Sequence, residues 1–197
     1  MQAKLHSFCI AMNILLKSLT VCWIIVDLGG CQARNDFQGT LCPRNQELAA
    51  AKGAIRRSDM SPKHFRVVDF GRPRGRGIVA DKEFAHGEYM LYYAGKWDVI
   101  EPDTSDDVHT FQISYRKMRF WFDAEEEDGS YGRLINDAWG HPNTQPRVVF
   151  VDGEPRIAFF ALGSIHAGQE ILFDYGGTND LPWRKQELDE ANHLQTP

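Results

Sequence analysis

The sequence predicts a mostly β fold built from short strands, and three observations carry that expectation. From Phe65 onward, short apolar runs rich in β-branched and aromatic residues alternate with Gly, Pro and Asp turn signals. Two of these runs, VVFV and EPRIAFFAL, are joined by Asp152–Gly153, a strong short-range hairpin signal. Helical patterning is scarce: only 180–194, DLPWRKQELDEANHL, reads as a helix, with Asp180 as N-cap and Pro182 in its first turn.

Taken in chain order, the first segment is LHSFCIAMNILLKSLTVCWIIVDLGGCQA, apolar but interrupted by Lys17 and Asp27. Its uncharged runs are too short for a membrane span. A secretory signal, an amphipathic helix and a mis-assigned first exon all fit it, so it is set aside from the fold. Residues 32–64 are polar, with Gly, Pro and Arg, and read as a linker or loose arm, so 1–64 is expected to be poorly ordered. The expected strands follow: FRVVDF, GIVA, YMLYYAG, HTFQISY, RFWFDA, PRVVFV, RIAFFAL and EILFDY. FAHGE at 84–88 and IHAGQE at 165–170 are near-repeats, each a glycine turn leading into a strand.

The chain has 197 residues, enough for one domain with a real core. A net charge of −5 excludes a simple polyanion binder. Charge is unevenly spread: residues 52–76 hold eight Lys/Arg against two Asp, whereas residues 81–130 hold thirteen acids against five bases. Charge runs are usually solvated surface. The sharper reading is a basic arm for nucleic acid leading into an acidic body that suits a cationic peptide. The four cysteines, Cys9, Cys22, Cys31 and Cys42, all precede residue 43, which excludes a disulfide framework or cysteine-rich zinc cluster from the body.

Three motifs carry chemistry. GRPRGRGIVA, 71–80, is a Gly/Arg loop before a strand; Gly75 and Gly77 permit close backbone approach, and Arg76 between them suits a carboxylate. It lacks the terminal Lys-Ser/Thr of a phosphate loop. YGRLINDAWGHPN, 131–143, places Asn136 after a Gly-Arg turn, and a buried Asn needs partners. FDYGG, 173–177, ends a strand on Tyr175. Each alone has an ordinary structural explanation: a basic turn, a capping Asn, a core tyrosine.

Together, and with Tyr93-Ala94-Gly95 between the first and second, they form an ordered set that resembles the SET-domain protein lysine methyltransferases over about residues 66–184. The family's Arg-Leu/Phe-Ile/Leu-Asn-His-Ser followed by Pro-Asn stands here as Arg133-Leu134-Ile135-Asn136-Asp137-Ala138 followed by Pro142-Asn143. Its last motif stands as Glu170-Ile171-Leu172-Phe173-Asp174-Tyr175-Gly176. With no cysteine-rich zinc tail, and LPW at 181–183, the chain looks closest to the branch that methylates the tail of histone four.

The resemblance implies a SET domain at 65–184, β-clip-like small sheets with a pseudoknot, and a short C-terminal helix and tail over 185–197. It implies S-adenosyl-L-methionine as methyl donor, no metal, and transfer to a lysine of a histone or other basic peptide. Tyr175 is then the central catalytic tyrosine, and Tyr93 lines the lysine channel. Arg74, Gly75, Arg76 and Gly77 wrap the cofactor's methionine end, Asn136 and the backbone of Asp137 hold it opposite, and Trp183 packs on its adenine. Phe173 occupies the position that sets methyl number, where Phe leaves more room than Tyr. A nuclear monomer is the accompanying expectation, with nucleosomal DNA a candidate partner for 52–76. Asp137 and Ala138 depart from the family's His-Ser. A buried aspartate without a partner is costly, so the alternative is a catalytically impaired module that binds peptide or cofactor.

Overall fold

The computed structural model describes residues 22–24, 44–60, 63–72, 74–98, 109–115, 118–138, 140–176 and 184. A three-stranded antiparallel sheet lies at the centre. It comprises β4 (Tyr89–Tyr93), β9 (Thr144–Val151) and β10 (Glu154–Ala161), in the order β4-β10-β9. The predicted hairpin is present: Asp152 and Gly153 both take positive φ, 53° and 87°, as a two-residue turn matched to strand twist requires.

Both faces of this sheet are covered, which explains why its strands are continuous apolar runs and do not alternate. One face, with Leu91, Tyr93, Ile157 and Phe159, joins the main core. The other, with Tyr92, Val149, Ala158 and Phe160, receives α1 (Asn45–Arg56) through Ala51 and Ile55. Here the reading of 32–64 as a loose arm is corrected over 44–60. QELAAAKGAIR is rich in strong helix formers, with Glu47 in the first turn and Arg56 in the last, both favourable to the helix dipole. Ser58 in the left-handed region (φ 49°) ends it, with the Ser58 and Asp59 amides returning to Ile55 and Ala54. Glu47 also accepts the Tyr89 N–H at 2.9 Å, which ties α1 to β4.

A second sheet runs β1-β6-β7-β5, from β1 (Cys22–Ile24), β5 (Lys96–Asp98), β6 (Thr110–Tyr115) and β7 (Met118–Asp123). A two-stranded ribbon joins β2 (Phe65–Asp69) to β3 (Arg76–Ala80). The near-repeats prove to be the same turn used twice. Glu88 accepts the Ala85 N–H and Gln169 the His166 N–H, each at 2.8 Å, and Phe84 and Ile165 bridge the two turns.

The last strand, β11 (Leu172–Phe173), is gripped on both edges. On one side it pairs in parallel with β8 (Asn136–Asp137), and the Ala138 N–H reaches the Phe173 carbonyl at 3.0 Å. On the other, Asn143 exchanges bonds with Leu172, its N–H donating at 3.1 Å and its Oδ1 accepting at 2.9 Å. A single segment, 136–144, thus holds β11 between its two arms. Just upstream, Ile171 bonds back to Ile78 of β3. The predicted helix over 180–194 lies outside the described residues except for Arg184.

Candidate active site

Threading β11 through that segment fixes Tyr175. Its hydroxyl donates to the Ile135 carbonyl at 2.7 Å, its N–H donates to Asp137 Oδ1 at 3.1 Å, and its ring lies 4.6 Å from that of Phe173. Tyr93 approaches from the end of β4. Its hydroxyl donates to the His109 carbonyl, and its ring meets Phe111 edge-on at 4.6 Å. Phe173 stacks on Phe111 at 5.2 Å. Tyr93, Thr110, Phe111, Ile135, Phe173 and Tyr175 line one narrow pocket. The structure therefore brings Tyr93, Phe173 and Tyr175 together. A 3₁₀ turn, Gly132–Leu134, packs on β4 and lines the pocket through Gly132 and Arg133, and a Cβ on Gly132 would lie 2.8 Å from the Tyr92 carbonyl.

The Gly-Arg hook lies across the 135–137 segment from Tyr175. A Cβ on Gly77 would fall 2.5 Å from Asn136 Nδ2 and 2.8 Å from Glu170 Oε1. Asn136 itself donates to Glu170 at 3.0 Å, which gives it the partner a buried amide needs. The two arginines turn to carboxylates of the chain. Arg74 pairs with Glu170 and covers the Phe70 ring at 4.8 Å, while Arg76 pairs with Glu127. Arg76 thus meets a carboxylate, as the motif suggested, but an internal one. Gly75 (φ 67°) faces open space.

Three residues to which the sequence reading gave no role organise the site. Glu170 gathers Arg74 and Asn136. Arg133, nearly buried, donates to the Ala124 carbonyl at 2.7 Å and to Glu127 at 2.9 Å, fixing the 124–127 loop beside the pocket. Arg76 and then Arg133 hold the Glu127 carboxyl below its usual range. Arg184 is the third. Its guanidinium bonds both oxygens of Asp137 at 2.6 and 2.7 Å, so the buried aspartate has a partner and the expected penalty is offset. An acid at a buried position was a signal for a cation elsewhere; nothing in the local pattern said which. Trp183 lies outside the described residues. Among the described residues, no cluster of three His, Cys, Asp or Glu side chains could hold a metal.

Small sheets around a strand clasped by one loop, with an aromatic pocket at the strand's end, define the SET-fold class. Residues 75–176 match the family model for the SET domain, just over half of the chain, and the chain belongs to that family. Histone-lysine N-methyltransferase set-1 of Caenorhabditis elegans is 29% identical over 138 residues, covering 64% of this chain and 57% of the relative. N-lysine methyltransferase KMT5A of Xenopus tropicalis is 29% identical over 135 residues, covering 60% of this chain and 39% of the relative. The chain therefore spans little more than half the length of the first and two fifths of the second. The crystal structure of CpSET8 from Cryptosporidium superposes with a TM-score of 0.51 at 23% identity, covering 58% of each chain, a likeness of fold.

Proposed function

We propose that this chain is a protein-lysine N-methyltransferase that uses S-adenosyl-L-methionine and acts on a histone tail or another basic peptide. The observation that carries the reading is the pocket itself: two tyrosines with hydroxyls anchored on backbone carbonyls, closed by the rings of Phe111 and Phe173. The likeness to two lysine N-methyltransferases supports the same activity.

The donor fits the hook. Gly75 faces open space, and Gly77, with no side chain, lets the strand pack directly against Asn136, Glu170 and Phe70, which leaves the Gly75 side of the hook as the face open to a ligand. Gly75–Gly77 and Asn136 would hold its methionine end; when bound, it supplies an electrophilic methyl. The residues of the chain perform the remaining tasks. A lysine side chain in water has a pKa of about 10.4. Apolar walls from Phe111 and Phe173 disfavour its charged form and lower that value. Tyr93 and Tyr175 orient the amine, which converts an encounter into a positioned attack. Phe173 in place of a tyrosine leaves space beside the amine for further methyl groups.

The impaired-module reading drew on Asp137 and Ala138. Arg184 supplies the counter-charge, and Ala138 still bonds Phe173 through its backbone, which supports the active reading. For substrate, the acids of residues 81–130 favour a cationic peptide, and a histone substrate would place the protein in the nucleus. DNA is less favoured for residues 52–76, because Arg56, Arg66, Arg74 and Arg76 already pair with carboxylates. Among the described residues, no helix is long and apolar enough to cross a membrane.

Transfer of labelled methyl groups to nucleosomes, free histones and a panel of non-histone proteins tests the proposal. The wild-type chain is expected to label a lysine, and Tyr175→Phe to lose about 10²-fold or more of that rate while remaining folded. Calorimetric binding of the cofactor without transfer to any substrate would favour the impaired module.

A further inference from the structure

Tyr175 is held at both ends by one short stretch of chain. Ile135 takes its hydroxyl and Asp137 takes its backbone N–H. The Asp137 carboxylate is in turn gripped by Arg184, and both side chains are almost wholly buried, with exposures of 4% and 1%. Arg184 reaches further. Its guanidinium donates to Asp174 at 3.0 Å and to the Gly176 carbonyl at 3.2 Å, the residues on either side of the tyrosine. Asp137, next to Asn136 on β8, thus closes a ring of bonds around the Asp174–Gly176 turn. The cation completing that ring comes from the segment after β11.

We propose that Asp137 and Arg184 form a buried clasp that sets the position of Tyr175. Both are positioning residues: neither faces the pocket, and each acts through the tyrosine. The clasp also accounts for the aspartate where the family pattern has histidine. A carboxylate at 137 accepts from the Tyr175 amide and from a guanidinium together, and it is tolerated because the guanidinium is there. Losing one partner leaves the other a buried, unpaired ion, whereas replacing both by apolar groups removes that penalty. This difference separates positioning from mere stability. The effect on turnover rests on the methyltransferase reading; the clasp itself does not.

The test uses the full chain without cofactor, as wild type, Arg184→Leu, and the double variant Asp137→Leu/Arg184→Leu. Amide exchange at Tyr175, followed by NMR, is expected to quicken about tenfold or more in the double variant, since a charge-assisted bond to that N–H is gone. Thermal stability should fall in Arg184→Leu and recover in the double variant. With an active wild type, the double variant should keep its peptide KM within about threefold and lose roughly ten- to hundredfold in kcat, the cost of a misplaced reacting group. Unchanged Tyr175 exchange in the double variant overturns the clasp, whatever the activity. Faster exchange with unchanged kcat overturns the positioning role. Absence of transfer by the wild type removes the enzyme reading alone, and exchange still decides the clasp.

Discussion

Gly77 shows how much a missing side chain contributes. Its Cα lies so close to Asn136 and Glu170 that a methyl group would overlap both. Gly77→Ala is expected to displace Asn136, cost about 1–3 kcal/mol of stability and weaken cofactor binding; calorimetry and thermal melts check both effects. Gly129→Ala, where a Cβ meets nothing, should disturb only its own turn (φ 82°) and leave cofactor binding intact. Phe173→Tyr should add a hydroxyl in the pocket next to Tyr175 and shift products toward monomethyl-lysine, read by mass spectrometry of a methylated peptide. At this scale the sequence was most legible where a motif fixed both type and spacing, as with Tyr93, Phe173 and Tyr175. It was least legible where a partner came from afar. Arg184 lies 47 positions from Asp137, and no local pattern links them.

Pattern reasoning missed the short strands β1, β5 and β8 and, more consequentially, α1, for which the reason is physical. Its buried stripe is made largely of alanines, Ala51 and Ala54 with Ile55, too weakly apolar to stand out among the polar residues around it. The strands carried a signal all the same. YMLYYA and RIAFFAL are apolar on both faces, and such a sheet requires a cover on each side. Ala51→Asp should therefore bury an unpaired carboxylate against Phe160 and Val149, and the domain should melt several degrees lower or fail to accumulate folded. Arg56→Ala, which breaks an exposed pair with Asp152, should leave the melting temperature nearly unchanged. Comparing the two melts distinguishes packing from surface charge as the tie that holds α1 down. By contrast the hairpin and both near-repeat turns were read correctly from a few residues each, because turn chemistry is local.

At the scale of the whole molecule, the charge asymmetry seen in the sequence is partly resolved into contacts among the described residues. Arg66 meets Asp81 and Arg76 meets Glu127, so two bases of the basic stretch face the acidic one, while Arg56 and Arg74 pair with Asp152 and Glu170 beyond it. Titration at the alkaline end should be governed by the covered sheet. Burial, chiefly, pushes the Tyr89 and Tyr92 phenols above the ordinary range. Groups that hold their protons more tightly when folded stabilise fully below the unfolded value, here about pH 10, and that stability is lost as pH rises further. Melting temperature should therefore fall steeply above about pH 10, and Tyr89→Phe should flatten that fall.

The pairing of Val79 with Glu170 and of Phe84 with Ile165 has a temporal consequence. During synthesis the glycine hook emerges long before the strand that completes it, so the early aromatic residues wait with their partners still unmade. Contacts this distant in sequence close slowly, and the nascent chain presents sticky surface in the interval. Tyr175, proposed above as the catalytic tyrosine, is then among the last groups to find its place, so the proposed activity would arrive only when folding is nearly finished.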